Sequence, residues 1–239
     1  MRPDKVGAVI TAAGSSRRMG GQDKVFSVVA GKPVLAHVLD VFQECPVADW
    51  IVVVLTEAGL EQGRRLVDEQ GFSKVADICL GGERRQDSVA EGLRRLPGCQ
   101  WVVIHDGARP CVTADLIESG LAEARHTGAA IAAVPVKETI KVVDAEGTIQ
   151  STPRREELWV AQTPQIFRSD IIMEAYRQRT EEMTDDAALV EALGYNVRVY
   201  MGSYDNIKIT TPQDLALAEI ILRNKERGSG NNRKAGTGK

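Results

Sequence analysis

Short apolar runs alternate along the chain with segments whose apolar residues recur every three or four positions. The runs are VGAVITA at 6–12, WIVVVLT at 50–56, VADICL at 75–80, WVVIHD at 101–106, AAIAAVPV at 129–136 and NVRVYM at 196–201. Their β-branched content predicts strands, and several lack the polar alternation of a half-exposed strand. Between them Pro33–Glu44, Gly59–Gln70, Gln86–Leu96 and Thr113–His126 carry helical spacing. Strand and helix in turn predict an α/β fold of the Rossmann-like kind, a mostly parallel sheet with helices on both faces. Thr113, Thr184 and Thr211 stand where helix N-caps belong, and Pro212 suits a first helical residue.

Two segments depart from this rhythm. KETIKVVDAEGTIQSTP at 137–153 is a pair of short alternating runs around Ala145, Glu146 and Gly147, which predicts a β-hairpin arm inserted in the domain. No helix follows to cover it, so an arm, a lid or a dimer contact is expected. From Arg223 onward apolar residues almost vanish, which predicts one domain over 1–224 and a disordered tail at 225–239.

Charge and cysteine usage narrow the function classes. A net charge of -3 argues against a general nucleic-acid or anionic-membrane surface, so any polyanion must meet a local basic cluster. No run approaches the roughly 20 apolar residues of a membrane helix, and the N-terminus lacks signal-peptide anatomy. A cytoplasmic protein is expected. Cys45, Cys79, Cys99 and Cys111 show no CxxC or metal-ligand spacing, which predicts buried reduced thiols.

TAAGSSRRMG at 11–20 follows the first strand and holds neither a dinucleotide fingerprint nor a P-loop. It offers a small-residue turn, Ala12, Ala13 and Gly14, then Arg17, Arg18 and Lys24. A guanidinium fork with a mobile ammonium suits a triphosphate, while a solvated basic loop is the other reading. Asp106 ends a strand, at the sheet edge where open α/β folds bind ligands. It could hold Mg²⁺ through one carboxylate with phosphates completing the shell, or it could cap a turn. His105 beside it is read as structural. Gly82 and Ser88 in LGGERRQDSV, Thr163 and Gln165 in RREELWVAQTPQ, and Lys208 in YDNIKITTP are further candidates, each with a structural alternative. Lys208 lies between Ile207 and Ile209 on a strand-like run, and a charge there is costly unless it points into a site.

AAGSSRRMG, Lys24, GKPVL, GGERRQDSV, HDGARP, the TIK of the hairpin, RREELWVAQTPQ, TDDA and DNIKIT occur in that order. The series, from about residue 6 to 222, resembles the 2-C-methyl-D-erythritol 4-phosphate cytidylyltransferase family of the non-mevalonate isoprenoid pathway. The resemblance implies transfer of CMP from CTP to methylerythritol phosphate with release of pyrophosphate, by a cytoplasmic homodimer using Mg²⁺ or another divalent cation. It implies that Ala12, Ala13, Gly14, Gly82 and Ser88 surround the cytidine, that Arg18 and Lys24 grip the triphosphate, and that Asp106 binds the metal. Arg109, Thr139, Arg155, Thr163 and Lys208 would position the acceptor, with the arm reaching into a partner subunit.

Asp23, where the family usually has Pro, and Gly107, where it usually has Ala, depart from the pattern. The acceptor phosphate is already ionised, with a second pKa near 6, so no general base is required. Alignment and positive charge suffice. A cytidylyltransferase acting on ribitol phosphate is a rival on the same framework, and a nucleotide-binding module without turnover is a rival of another class.

Overall fold

The computed structural model describes residues 4–14, 23–178 and 182–234. The elements are β1 (Val6–Ala12), β2 (Val28–Val29), β3 (Lys32–Pro33), α1 (Val34–Glu44), β4 (Trp50–Leu55), α2 (Leu60–Gln70), β5 (Val75–Leu80), α3 (Arg85–Arg95) and β6 (Trp101–Asp106). They continue with α4 (Ala114–Thr127), β7 (Ala129–Pro135), β8 (Val142–Val143), β9 (Ile149–Ser151), β10 (Trp159–Arg168), α5 (Ser169–Gln178), α6 (Asp186–Ala192), β11 (Arg198–Met201) and α7 (Pro212–Lys234).

The main sheet has seven strands in the order β11-β7-β10-β6-β1-β4-β5. All neighbours are parallel except β10, which runs antiparallel to both β6 and β7. The apolar runs form these strands because both sheet faces are covered, so successive residues all need an apolar neighbour. Ala8 and Ile10 pack with Leu35, Leu39 and Phe42 of α1 on one face. Val9, between them, points the other way and packs with Val89 and Leu93 of α3. The chain leaves β1 for β4 and β5 on one side, then returns to β6 on the other. That reversal opens a crevice beyond the C-terminal ends of β1 and β6, where Thr11 and Asp106 are register partners.

The hairpin forms as expected. Strands β8 and β9 pair antiparallel around a turn in which Asp144 Oδ1 accepts from the backbone N–H groups of Glu146 and Thr148, at 3.1 and 2.8 Å. Cys45, Cys79 and Cys111 are buried and Cys99 is half-buried, and all four are free thiols.

Three local expectations need correction. Residues 225–234, expected in the tail, continue α7. Propagating an established helix costs far less than nucleating one, and the Lys225 ammonium reaches the carbonyl of Cys111 at 2.7 Å. Asp185, not Thr184, caps α6, because its carboxylate accepts from Ala188 N–H at 3.0 Å. Lys208 lies on no strand: its segment is an extended loop tied to the domain by Ile209 N–H on the Ala108 carbonyl at 2.8 Å. Ile209 is fully buried and Ile207 packs beside it, so Lys208 is turned to the opposite side.

Candidate active site

Two cavities open at the crevice. The larger, about 440 Å³, has Ala12, Ala13, Gly14 and Lys24 on one side, Gly82 and Ser88 on another, and Asp106 and Lys208 at its floor. The smaller, about 220 Å³, is lined by Arg109, Thr163, Gln162 and Gln165 with Asp106 and Lys208 again. Arg85, Asp106 and Lys208 line both.

The larger cavity has a wall that requires small residues. A Cβ on Gly81 would stand 2.4 Å from the Cβ of Ala13 and 2.7 Å from Ser88 Oγ, so only glycine lets the β5–α3 loop close on the end of β1. The Ser88 hydroxyl is buried; it accepts from Gly82 N–H at 3.2 Å and can donate to the Arg84 carbonyl at 3.2 Å. It therefore fixes the shape of the Gly82 loop. Gly107 allows a second close approach: its N–H donates to the Thr11 carbonyl at 2.8 Å, and a Cβ there would meet that of Ala12 at 2.9 Å. Asp23 turns its carboxylate onto Val25 N–H at 3.3 Å, which stabilises the turn that carries Lys24. Burial pushes the Asp23 carboxyl up, against the opposing pull of that bond and of Lys24.

The floor is an ion cluster. Asp106 Oδ2 lies 2.9 Å from Lys208 Nζ and 3.2 Å from Arg109 Nε, and Oδ1 lies 3.6 Å from Arg85 Nε. Burial opposes ionisation of Asp106, but Lys208, Arg85 and Arg109 together outweigh it and hold the carboxyl well below the ordinary aspartate range. The backbone N–H of Asp106 donates to the Thr163 hydroxyl at 3.0 Å. Thr163 is thereby left to donate to His105 Nδ1, also at 3.0 Å, while His105 Nε2 faces the Arg109 carbonyl at 3.3 Å. This pattern fits a neutral His105 with its proton on Nε2. Full burial agrees, pushing the imidazole down to about 4. His105 lines neither cavity and supports the floor from beneath.

The polar residues behind the floor are tied to one another. Arg109 Nη1 donates to the Asn206 carbonyl at 2.8 Å, and the Asn206 amide donates to the Thr163 carbonyl at 2.7 Å. Gln165 donates to Asp185 at 2.8 Å and accepts from Ala187 N–H at 3.1 Å, which links β10 to the start of α6. Arg85, which the sequence reading did not single out, donates from Nη2 to Asp186 Oδ2 at 2.7 Å. Its partner lies 101 positions away, so local pattern could not reveal it; the usable signal was a second arginine in a Gly-rich loop facing TDDA.

Of the residues expected at the site, Ala12, Ala13, Gly14, Lys24, Gly82, Ser88, Asp106, Arg109, Thr163 and Lys208 are brought together at the two cavities. Arg18 lies outside the described residues. Thr139 and Arg155 are exposed and line neither cavity; Arg155 Nη1 instead donates to the Lys137 carbonyl at 3.1 Å, at the base of the arm. Among the described residues no three His, Cys, Asp or Glu side chains converge as a metal cluster. Asp106 alone is a donor set that suits Mg²⁺ only if a ligand brings further oxygens, since that ion takes one or two carboxylates with phosphate and water.

Comparison with known proteins follows the same outline. The pattern of the family described as "IspD: 2-C-methyl-D-erythritol 4-phosphate cytidylyltransferase" matches residues 6–224. A protein of that name from Dehalococcoides mccartyi is 55% identical over 220 residues, covering 92% of this chain and 97% of that one. The crystal structure of 4-diphosphocytidyl-2C-methyl-D-erythritol synthase from Anaerococcus prevotii superposes with a TM-score of 0.82 at 30% identity, over 92% of this chain and 96% of that one. That of 2-C-methyl-D-erythritol 4-phosphate cytidylyltransferase from Thermus thermophilus gives 0.75 at 33% identity, over 92% and 99%.

Proposed function

This chain belongs to the 2-C-methyl-D-erythritol 4-phosphate cytidylyltransferase family, nucleotidyltransferases that join CTP and 2-C-methyl-D-erythritol 4-phosphate with release of pyrophosphate, and we propose that the two joined cavities are where it does so. The observation that carries this reading is the shared floor: Arg85, Asp106 and Lys208 face both cavities, so two anionic ligands would meet over one positive cluster. The larger cavity, with its small-residue wall and Lys24, suits cytidine and triphosphate. The smaller, with Arg109 and Lys208, suits the acceptor phosphate.

Transfer is an in-line attack of the acceptor phosphate on the α-phosphate. An alkyl phosphate is largely a dianion at neutral pH, so no side chain must remove a proton. Asp106, held ionised by its three cations, would be a poor base in any case. The residues therefore act by alignment and charge: Lys24 and Lys208 approach the phosphates, and Arg18 joins them on the strength of the resemblance. Mg²⁺, held by Asp106 and the triphosphate, would neutralise charge on the phosphate oxygens.

The arm completes the site across a twofold axis. Thr139 and Arg155 line neither cavity of their own chain, and apolar side chains stand exposed on the arm and on nearby strands. Val142, Val143 and Ile149 of the arm are exposed, as are Trp159 and Val160 at the start of β10 and Val199 and Met201 on the edge strand β11. Such a surface needs covering, and a second copy of the chain supplies one that fits its own symmetry. The cytoplasm is the proposed location, on the sequence reading.

Pyrophosphate release tests the activity. With Mg²⁺ and CTP the expected acceptor is 2-C-methyl-D-erythritol 4-phosphate; equal turnover with ribitol phosphate, or none with the first, overturns the assignment. The shared site is tested by mixing Lys24→Ala with Arg155→Ala under subunit exchange. Random pairing makes half the dimers mixed, each with one intact site, so about a quarter of wild-type activity returns. No recovery despite exchange places Arg155 in its own subunit's site.

A further inference from the structure

Arg85 is the first residue of α3, and its side chain is 30% exposed between the two cavities. Among the described residues its one hydrogen bond is to Asp186. Its contact with Asp106, at 3.6 Å, is an ion pair too long to count as a hydrogen bond. A guanidinium has five N–H donors, so most of its capacity is uncommitted.

Asp186 is fully buried and cannot meet a ligand. One of its oxygens takes Arg85 Nη2 at 2.7 Å and the other takes the Tyr176 hydroxyl at 2.5 Å. Tyr176 and Asp186 belong to α5 and α6, which pack on the sheet face that α3 also covers. The guanidinium is thus braced from behind by a carboxylate that is itself braced. A tie meant only to join α3 to α6 would gain little from an ion pair, because burying two charges costs about what their attraction returns. It would also have no need to present the guanidinium to both cavities.

We propose that Arg85 contacts the phosphoryl group in transfer, at the boundary between the nucleotide and acceptor cavities, and that Asp186 with Tyr176 is the positioning pair that fixes it there. The planar fork can hold two oxygens at once, so it can bind the α-phosphate and the acceptor phosphate together while the α-phosphorus, still bonded to the cytidine 5′-oxygen, exchanges its bond to the departing pyrophosphate for one to the acceptor oxygen. This rests on the two-cavity reading above.

The test is steady-state kinetics of Arg85→Lys and Asp186→Asn, varying CTP and 2-C-methyl-D-erythritol 4-phosphate separately, with CTP affinity by calorimetry and a thermal melt for each. Arg85→Lys keeps the charge and loses the fork; kcat is expected to fall about 100-fold, as for loss of one preorganised donor, with the Kd for CTP changed less than about threefold. Asp186→Asn is expected to lower kcat about tenfold with Arg85 still present. A merely structural role would lower the melting temperature of both and leave the kcat of the folded protein intact, which overturns the proposal. If Arg85→Lys does not fold, Asp186→Asn decides, and full kcat in it is the overturning result. Wild type without pyrophosphate release would overturn the two-cavity reading and this role with it, whereas a fully active variant would overturn the role of Arg85 alone.

Discussion

The floor of the crevice and the arm are built on opposite principles. At the floor every charge has a partner within the chain: Asp106 holds Lys208 and Arg109, and Asp186 holds Arg85. The arm has few such ties beyond its own turn and leaves Val142, Val143 and Ile149 to solvent. One region is closed by folding alone, and the other keeps an apolar surface that folding does not cover. The contrast shows how a site can be shaped by its own chain before any ligand arrives while another region keeps its apolar side chains at the surface.

If the floor is a closed electrostatic unit, removing its centre should be the most damaging change. Asp106→Ala leaves Lys208 and Arg109 facing each other without their shared carboxylate, and Arg109 is only 12% exposed. Loss of one partner from a buried pair is expected to cost about 3 kcal/mol or more, read as a lower urea midpoint, together with loss of turnover. An Asp106→Ala protein as stable as wild type would show that the cations relax into solvent and that the floor is looser than its geometry suggests.

The support beneath the floor should show in the pH dependence of stability. The folded pKa of His105 is pushed down to about 4 by burial, below the ordinary value of about 6.5. The unfolded chain therefore binds the proton first as pH falls, and stability is lost between pH about 6.5 and about 4, by up to about 3 kcal/mol. Below that window both states are protonated and the contribution levels off. Urea titrations across the range should show the slope, and His105→Gln should flatten it.

The arm should behave in the opposite way. Ile149→Glu is expected to shift the sedimentation of the protein from dimer toward monomer. Measured on the monomer, unfolding should change by no more than about 0.5 kcal/mol, as for an ordinary surface substitution. A larger loss would mean that the arm packs on its own domain, and the comparison would fail on that side.

The strands and crossover helices were legible because burial on both faces of a parallel sheet leaves an unbroken apolar signature, as in WIVVVL. The path of β10 was not. A strand is readable within RREELWVAQTPQ at 154–165, but the insertion of Trp159–Arg168 between β6 and β7 depends on pairings such as Gln165 with Ile104, which no local pattern records. The site divides in the same way. Lys208 announced itself as a charge between two isoleucines, and Asp106 as an acid ending a strand. Arg85 did not, because its meaning lies in Asp186 and Tyr176, on helices formed much later in the chain. Thr163 was expected to meet the acceptor, and its hydroxyl is found engaged with the Asp106 backbone and His105, a use that only the register of β10 creates.

The arm leaves β7 and returns in β10, and these two strands are neighbours: Pro135 is paired with Trp159, and Val136 N–H donates to the Leu158 carbonyl at 3.0 Å. Its two ends are therefore already side by side, as they would be if a tight turn joined them. The sheet places no demand on what lies between, in length or in composition. Residues 137–157 are in this sense a graft, free to be lengthened, shortened or recharged across generations without renegotiating the core. Selection could revise the arm there while the larger cavity, built on the ends of β1, β5 and β6 and the start of α3, stays the same.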